Sequence, residues 1–445
     1  MIGGIWCIHE HEEGTHTSRE QISTEKQCSS YLSSILDYSK STLNDMQKIG
    51  LLNNDLQFKL LREKHVNFLL SNISKLPQQF VSLDASRPWM IYWITHGLAL
   101  LGNDAQVFHE RIIDTLSHFQ NPSGGFGGGP NQLTHGAPNF ASILTLCEIG
   151  TNESLGMIDR VAMYNHLLSI RSPGGGFTMH IDGEIDMRSC YTALVVARLL
   201  NLLTPELIGN TAEYILSCQS YEGGFGGEPN NEAHGGYNFC AIASLLILQQ
   251  GHRMDIEGQR RWLLHMQTSV EGGFRGRTNK LVDSCYSYWQ GAAFPVLSLI
   301  ERGLSDIDDC FEASNLNSNE NLNATNHRVT IPLTSCSCRA EMNSIELQKY
   351  ILHCAQCNDG GLRDKPGKGR DFYHTSYALS GLTAAQWLAD EDNHQIQVYG
   401  DQENLLEKAS CVYNISTNKV LNAISYFSSQ TSNHEELVRA YQSRS

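Results

Sequence analysis

No stretch of about 18 apolar residues occurs in this 445-residue chain, so the sequence offers no helix able to cross a bilayer, and stable membrane insertion is not expected. Cations are scarce as well. Lys and Arg number 32 against 47 Asp and Glu, a net charge of −15. That balance excludes a general nucleic-acid surface, which needs clustered cations to neutralise phosphates. Any basic cluster must therefore be local. The opening stretch MIGGIWCIHEHEEGTHTSRE lacks the basic start and apolar core of a secretory leader, so a cytoplasmic location is expected. The 13 cysteines, spread from Cys7 to Cys411, are odd in number and too dispersed for a disulfide framework. They read as reduced core residues plus a site. With 41% apolar residues, the chain can still bury a large core.

Repetition is what the sequence has in abundance. NPSGGFGGGP (121–130), SPGGGFTMH (172–180), YEGGFGGEP (221–229), EGGFRGR (271–277) and NDGGLRDKP (358–366) are variants of one loop. Phe126, Phe177, Phe225 and Phe274 step by 51, 48 and 49 residues, and Leu362 follows after 88. About 40 residues are thus inserted before the last unit. The insertion contains SDIDDCFEASNLNSNENLNATNH (305–327), whose Asn, Ser and acidic content cannot bury enough apolar surface to order itself.

A glycine doublet every 50 residues or so could mark propeller blades, but the segments between the doublets exclude strands. NFASILTLCEIG (139–150), YTALVVARLLNLL (191–203), NFCAIASLLILQQ (238–250) and TSYALSGLTAAQWL (375–388) are long, Ala- and Leu-rich, and free of internal turns. They read as buried helices. Each follows a glycine loop and a more amphipathic segment such as TAEYILSCQ (211–219), so one repeat is a helical hairpin. With RPWMIYWITHGLALLG (87–102) as the first, six inner helices are expected, the others starting near 138, 189, 237, 284 and 373. The expected fold is all-α: an α/α toroid of six hairpins with the glycine loops at one mouth. It divides the chain into an N-terminal extension with leading helices (1–80), the toroid (81–430) with a low-complexity insertion at 304–340, and a tail (431–445).

Chemistry concentrates in NKLVDSCYSYWQ (279–290), where Asp283 lies two residues from Cys285 and Lys280 just precedes them. A carboxylate and a thiolate so close repel unless a cation lies between them, and a nearby lysine suggests a visiting anion. His374, in RDKPGKGRDFYHTSY (363–377), adds an imidazole. Asp, Cys and His form a mixed donor set acceptable to Zn²⁺, with a fourth position left open. Arg188, His234, Arg277, Lys280, Lys365, Lys368 and Arg370 fall at the same end of the expected ring. Taken singly, each reads equally well as a solvated loop charge. Together with helix N-termini they suggest an anion site, and a diphosphate matches the number of donors.

Two other patterns compete for attention. CSC (336–338) and CAQC (354–357) could form a four-cysteine zinc site. Cys354 and Cys357, however, end a helical pattern as Cys218 does in its own repeat, which favours core and cap roles. DIDD (306–309) resembles the acid motif of terpene cyclases, but it lies at the edge of the insertion, where its carboxylates are expected to stay solvated.

RGRTNKLVDSCYSYWQ, EAHGGYNFC and GGLRDKPGKGRDFYHTSYALSGL resemble the signature stretches of the protein prenyltransferase β-subunit family, and within it the farnesyl-transferring members. The resemblance covers roughly residues 80–305 and 340–430. It implies that Asp283, Cys285 and His374 hold a catalytic zinc ion, and that Asp364 helps to place Mg²⁺ on an isoprenoid diphosphate. It also implies that His234, Arg277, Lys280 and Tyr286 bind that diphosphate, with Lys280 and Tyr286 acting in catalysis. The isoprenoid-binding set extends to Arg188, Tyr191, Gly235, Gly236, Tyr237, Cys240, Thr278, Asn279 and Trp289.

Transfer of farnesyl from farnesyl diphosphate to the cysteine of a C-terminal Cys-a-a-X motif follows as the implied activity. Chain length would be set by aromatics at the pocket floor, Trp89 and Tyr377, with Trp93 and Tyr373 beside them. Core packing alone would also explain Trp89 and Trp93, which are one helical turn apart. Ala85 and Ser86 in DASRPW, with His135, Ala137 and Pro138 in HGAP, resemble segments that contact the last residue of the peptide. The resemblance further implies a helical α-subunit partner and substrates such as small GTPases. A type I geranylgeranyltransferase β-subunit, a cyclase-like toroid and a non-catalytic binding toroid are the rival readings.

Overall fold

The computed structural model describes residues 14–46, 58–308, 310, 342–388 and 396–430. Most of the expected insertion, the CSC motif, the first 13 residues and the 431–445 tail lie outside the described residues.

Among the described residues, six outer helices alternate with six inner ones. The outer set is Arg62–Ser74, His109–Ser117, Arg160–Ser169, Thr211–Ser217, Ile256–Met266 and Ser344–Lys349, the last running on into a π-helical turn, Tyr350–Ala355. The inner set is Arg87–Leu100, Gly136–Ile149, Met187–Leu199, Gly235–Ile247, the broken pair Tyr286–Trp289 and Ala293–Glu301, and Phe372–Gln386. Each inner helix packs on the next and the sixth packs on the first, so the ring closes as an α/α toroid. Inner helices are apolar all round because one side faces the ring interior and the other meets the outer layer. In Gly136–Ile149 every residue except Ala137 is buried.

The glycine loops are the joints of this ring. Gln120, Arg171, Gln219, Gln267 and Gln356 form single β-bridges to Phe126, Phe177, Phe225, Phe274 and Leu362, all five of which are fully buried. The first glycine of a doublet then lies against the backbone of the following hairpin. At Gly223 φ is +104°, and a Cβ would sit 2.2 Å from the carbonyl oxygen of Gly258 in the next outer helix. Gly360 does the same across the closing seam, with φ +91° and 2.2 Å to the carbonyl oxygen of Lys64. Only glycine permits both the left-handed backbone and the approach.

At the opposite end from the loops, residues 410–416 plug the ring. The Tyr92, Tyr191 and Tyr288 hydroxyls donate to the carbonyls of Asn414 (2.6 Å), Val412 (2.7 Å) and Cys411 (3.2 Å). His96 Nδ1 lies 3.0 Å from Glu148 Oε2, and Glu148 also accepts from the Ser416 backbone and hydroxyl. Helix Thr417–Ser429 then packs outside the second and third inner helices.

Here one expectation fails. Asp306, the first residue of DIDD, is 2% exposed rather than solvated, because Arg198 Nε donates to it at 2.8 Å and the Tyr413 hydroxyl also donates. It fastens the plug to the third inner helix. Cys354 is buried, with its thiol 3.9 Å from the carbonyl of Cys28 in the N-terminal helix His16–Met46. No helix among the described residues is long and apolar enough to cross a membrane.

Candidate active site

Polar side chains gather at the mouth because the inner helices begin there and their first N–H groups need acceptors. His135 Nδ1 accepts from Ala137 N (3.1 Å), Asp186 from Arg188 N (2.7 Å), His234 Nδ1 from Gly236 N (3.2 Å) and Asp371 from His374 N (2.7 Å). Asp283 accepts from Cys285 N at 2.9 Å just before the broken fifth helix.

Asp283, Cys285 and His374 are the group of possible metal donors found among the described residues, with ligand atoms all within 4.8 Å of one another. Segment 283–285 is clamped to the fifth glycine loop, since Ser284 N donates to the Asp364 carbonyl (2.9 Å) and Ser284 Oγ to the Arg363 carbonyl (2.8 Å). That clamp brings residues from the fifth and sixth repeats together. His374 Nδ1 donates to Asp371 Oδ2 at 2.7 Å, which turns Nε2 toward Asp283 Oδ1 at 3.3 Å.

Burial opposes charge on His374, yet hydrogen bonds to Asp283 and Asp371 raise it to about 9. Burial also opposes charge on Asp283, but the His374 bond holds its carboxyl below the usual range. The Cys285 thiol is pushed well up by burial and by the Asp283 carboxylate. A thiol held neutral by a neighbouring anion is what a cation between them would reverse, so the donor set fits a thiolate-tolerant divalent metal. The Asp364 carboxyl is likewise raised by burial and by Asp283, with Lys365 paired to it.

Tyr286 links this centre to the basic rim. Its hydroxyl lies 3.1 Å from His234 Nε2. Because His234 Nδ1 accepts a backbone N–H, Nε2 carries the proton when the ring is neutral, and the Tyr286 hydroxyl hydrogen remains available to an outside acceptor. Burial and Arg277 hold His234 below its ordinary value, favouring that neutral form. The rim cations are largely paired within the chain: Arg277 with Glu232 (2.7 Å), and Arg188 with Asp186 while lying over the Tyr237 ring. Lys280, Thr278, Asn279 and Lys368 are exposed. Asn279 has φ +60°, as do its repeat equivalents Asn131 (+59°) and Asp182 (+60°), so a left-handed turn gives it a backbone reason to be there. Gly235 is closely approached, since a Cβ there would meet the end of the Gln290 side chain at 2.6 Å and displace it.

Below the rim, aromatic rings form an unbroken belt. Trp89 meets Phe140 (5.8 Å), which meets Tyr191 (5.5 Å), then Phe239 (5.6 Å), Trp289 (5.5 Å) and Tyr377 (4.6 Å). Tyr373 and Trp93 complete the circuit, at 4.8 Å from Tyr377, 5.5 Å from each other and 5.5 Å from Trp89. Trp289 Nε1 donates to the Tyr373 hydroxyl. Trp89, Trp93, Trp289 and Tyr373 are partly exposed, whereas Tyr191, Tyr377 and Cys240 are buried. The hydroxyl of Tyr191 is spent on Val412, leaving only its ring face for a ligand.

His135 stands 5.6 Å from His180 at the rim, with Ala137 half-buried and Pro138 buried behind it. The carbonyl of Ala85 lies against Gly128 of the first glycine loop, and Ser86 precedes the first inner helix.

Three participants were not singled out from the sequence. Asp371 orients His374, and its signal was an Asp three residues before a His at a helix start. Phe140 and Phe239 complete the belt; with Tyr191 and Tyr288 they stand fourteen residues after their repeat's glycine-loop phenylalanine, a regularity visible in the sequence.

A family model described as the prenyltransferase alpha-alpha toroid domain matches residues 60–415. The chain is 40% identical over 403 residues to the protein farnesyltransferase subunit beta of Arabidopsis thaliana, covering 83% of each chain. It is 39% identical to the protein of the same name from Pisum sativum, over 82% of this chain and 93% of that one. Identity falls to 27% against the Arabidopsis thaliana geranylgeranyl transferase type-1 subunit beta, over 74% of this chain and 85% of the relative. Among solved structures, Candida albicans protein geranylgeranyltransferase-I complexed with GGPP aligns with a TM-score of 0.61 at 20% identity, covering 82% of this chain and 98% of that one, a likeness of fold.

Proposed function

This chain belongs to the protein farnesyltransferase β-subunit family, and from that premise we propose that it is the catalytic subunit of a zinc-dependent farnesyl transfer to C-terminal Cys-a-a-X cysteines. The observation that carries the reading is the Asp283, Cys285 and His374 trio, joined through Tyr286 to a basic rim and standing above an aromatic-walled interior.

In the reaction, a carbon–sulfur bond forms between the substrate thiol and C1 of farnesyl diphosphate, the C1–oxygen bond breaks, and diphosphate leaves. Asp283, Cys285 and His374 would hold the zinc ion. When bound, zinc supplies the Lewis acidity that keeps a substrate thiol ionised near neutral pH. Asp371 fixes the His374 ring so that Nε2 points at the site. Tyr286, relieved of donating to His234, can donate to the departing diphosphate, and Arg277 and Lys280 add charge from the same rim. His234, Arg188 and Tyr237 line the rim beside them. Asp364 would take Mg²⁺, which relieves its repulsion with Asp283.

The aromatic belt receives the isoprenoid, with Trp89 and Tyr377 limiting its length. Ala85, Ser86, His135, Ala137 and Pro138 would face the end of the peptide. An α-subunit completes the enzyme, and proteins with a Cys-a-a-X end, small GTPases among them, are its substrates.

The test is a competition assay on the chain co-expressed with its α-subunit. Equal farnesyl and geranylgeranyl diphosphate are supplied with a peptide ending in Cys-Val-Ile-Met, with and without a zinc chelator. Chelator-sensitive farnesylation is expected, with about one zinc per heterodimer. A preference for geranylgeranyl would remove the role given to Trp89 and Tyr377, and transfer of neither would overturn the enzymatic reading.

A further inference from the structure

The base of the toroid contains a construction that the transfer chemistry does not use. Segment 410–416 crosses the ring axis as irregular backbone, and irregular backbone in an apolar interior leaves carbonyls in need of donors. The inner helices answer with tyrosines. Tyr92 from the first, Tyr191 from the third and Tyr288 from the fifth each donate a hydroxyl, to Asn414, Val412 and Cys411. These same rings form or support the aromatic belt. Tyr92 packs on Trp89 (6.0 Å), Tyr288 on Tyr377 (5.6 Å) and Trp289 (5.3 Å), and Tyr191 lies between Phe140 and Phe239. From its far side the plug is held by Tyr413 on Asp306 and by the His96–Asn414 contact at 3.1 Å.

We propose that segment 410–416 is the depth stop of the isoprenoid pocket and that the Tyr92 and Tyr288 hydroxyls are positioning groups for chain-length choice, holding stop and belt as one rigid unit. The inference rests on the farnesyl-transfer reading and adds to it residues that touch neither metal nor diphosphate. An aromatic wall rejects a longer chain only if it cannot retreat. Trp89 and Tyr377 are backed by rings whose outer ends are hydrogen-bonded to the plug, so their rigidity is borrowed from it. Removing the hydroxyls keeps every ring but frees the backing to shift.

The experiment compares the wild-type heterodimer with Tyr92→Phe/Tyr288→Phe and each single variant. Tyr164→Phe is the control, since it loses a buried hydroxyl bond, 2.7 Å to Thr204, that joins an outer helix to the segment after the third inner helix and does not go to the plug. For each, kcat/KM is measured with farnesyl and geranylgeranyl diphosphate, together with direct binding of both and the thermal midpoint. The ratio of geranylgeranyl to farnesyl use should rise by about tenfold in the double variant, chiefly through KM, and stay fixed in Tyr164→Phe. An active wild type with an unchanged ratio in the double variant would overturn the inference and leave the function intact. Equal shifts in Tyr164→Phe would also overturn it, by showing a general effect of lost stability. A wild type that transfers no isoprenoid would remove the function and the inference together.

Discussion

The two ends of the toroid handle polar groups in opposite ways. At the base, Glu148 is 7% exposed and is met by His96 and by both donors of Ser416, Asp306 is closed off by Arg198 and Tyr413, and three plug carbonyls each receive a tyrosine hydroxyl. At the mouth, a partly exposed carboxylate and imidazole crowd against a buried thiol, with the thiol pushed up and the imidazole raised. Paired polar groups specify one structure, whereas polar groups left in tension await a ligand. The same hairpin repeat thus builds a closed architectural end and an open chemical one.

Three perturbations would break or sharpen that contrast. His374→Ala at the mouth should abolish zinc binding and lower transfer by about a thousandfold, ~4 kcal/mol of barrier, with little change in thermal midpoint. Metal analysis beside single-turnover rates measures both. Asp371→Asn should weaken zinc by about ten- to a hundredfold, because it loosens the ring without removing a donor. A large stability loss in either would merge the two ends and count against the comparison.

At the base, Glu148→Ala should cost about 3 kcal/mol of stability, since it strands His96 and Ser416 in the interior. Denaturant unfolding gives that value, and rate per folded molecule should be preserved. A fall in rate without a fall in stability would place Glu148 in the chemistry instead.

The smallest effect lies in neither end but in the outer layer and the closing seam. Burial holds His65, His166 and His353 down to about 4. His65 accepts from Gly361 N at 2.8 Å and so locks the fifth glycine loop to the first outer helix. Between about pH 6.5 and 4 the unfolded chain binds protons that the folded chain refuses, so stability is full above that window and falls as pH drops through it. His65→Gln should flatten the slope by about 1 kcal/mol per pH unit. An unaltered slope of midpoint against pH would show that His65 titrates normally when folded.

Much of this was legible in the chain. The glycine-loop period fixed the number of hairpins, because a repeat that cannot bury its apolar face alone must stack on copies of itself. Inner-helix starts expected near 138, 189, 237, 284 and 373 are observed at 136, 187, 235, 286 and 372. Asp283 and Cys285 stood out through their spacing, and His374 through its family-like context. Phe140 and Phe239 did not, because an apolar residue in an apolar helix carries no local sign of facing the ring axis, and their fixed offset from the glycine loop shows only when the repeats are aligned. Asp306 was misjudged because its partners, Arg198 and Tyr413, are 108 and 107 residues away.

The sequence by itself determined the hairpin, the period and the polar inventory of the loops, all set by short-range pattern and backbone chemistry. Only the tertiary structure decided which polar groups meet. It joined residue 283 to residue 374 through the Ser284 clamp, and it laid 410–416 under tyrosines from three separate repeats. Closure of the ring is the physical reason: until the sixth inner helix packs on the first, neither mouth nor base exists.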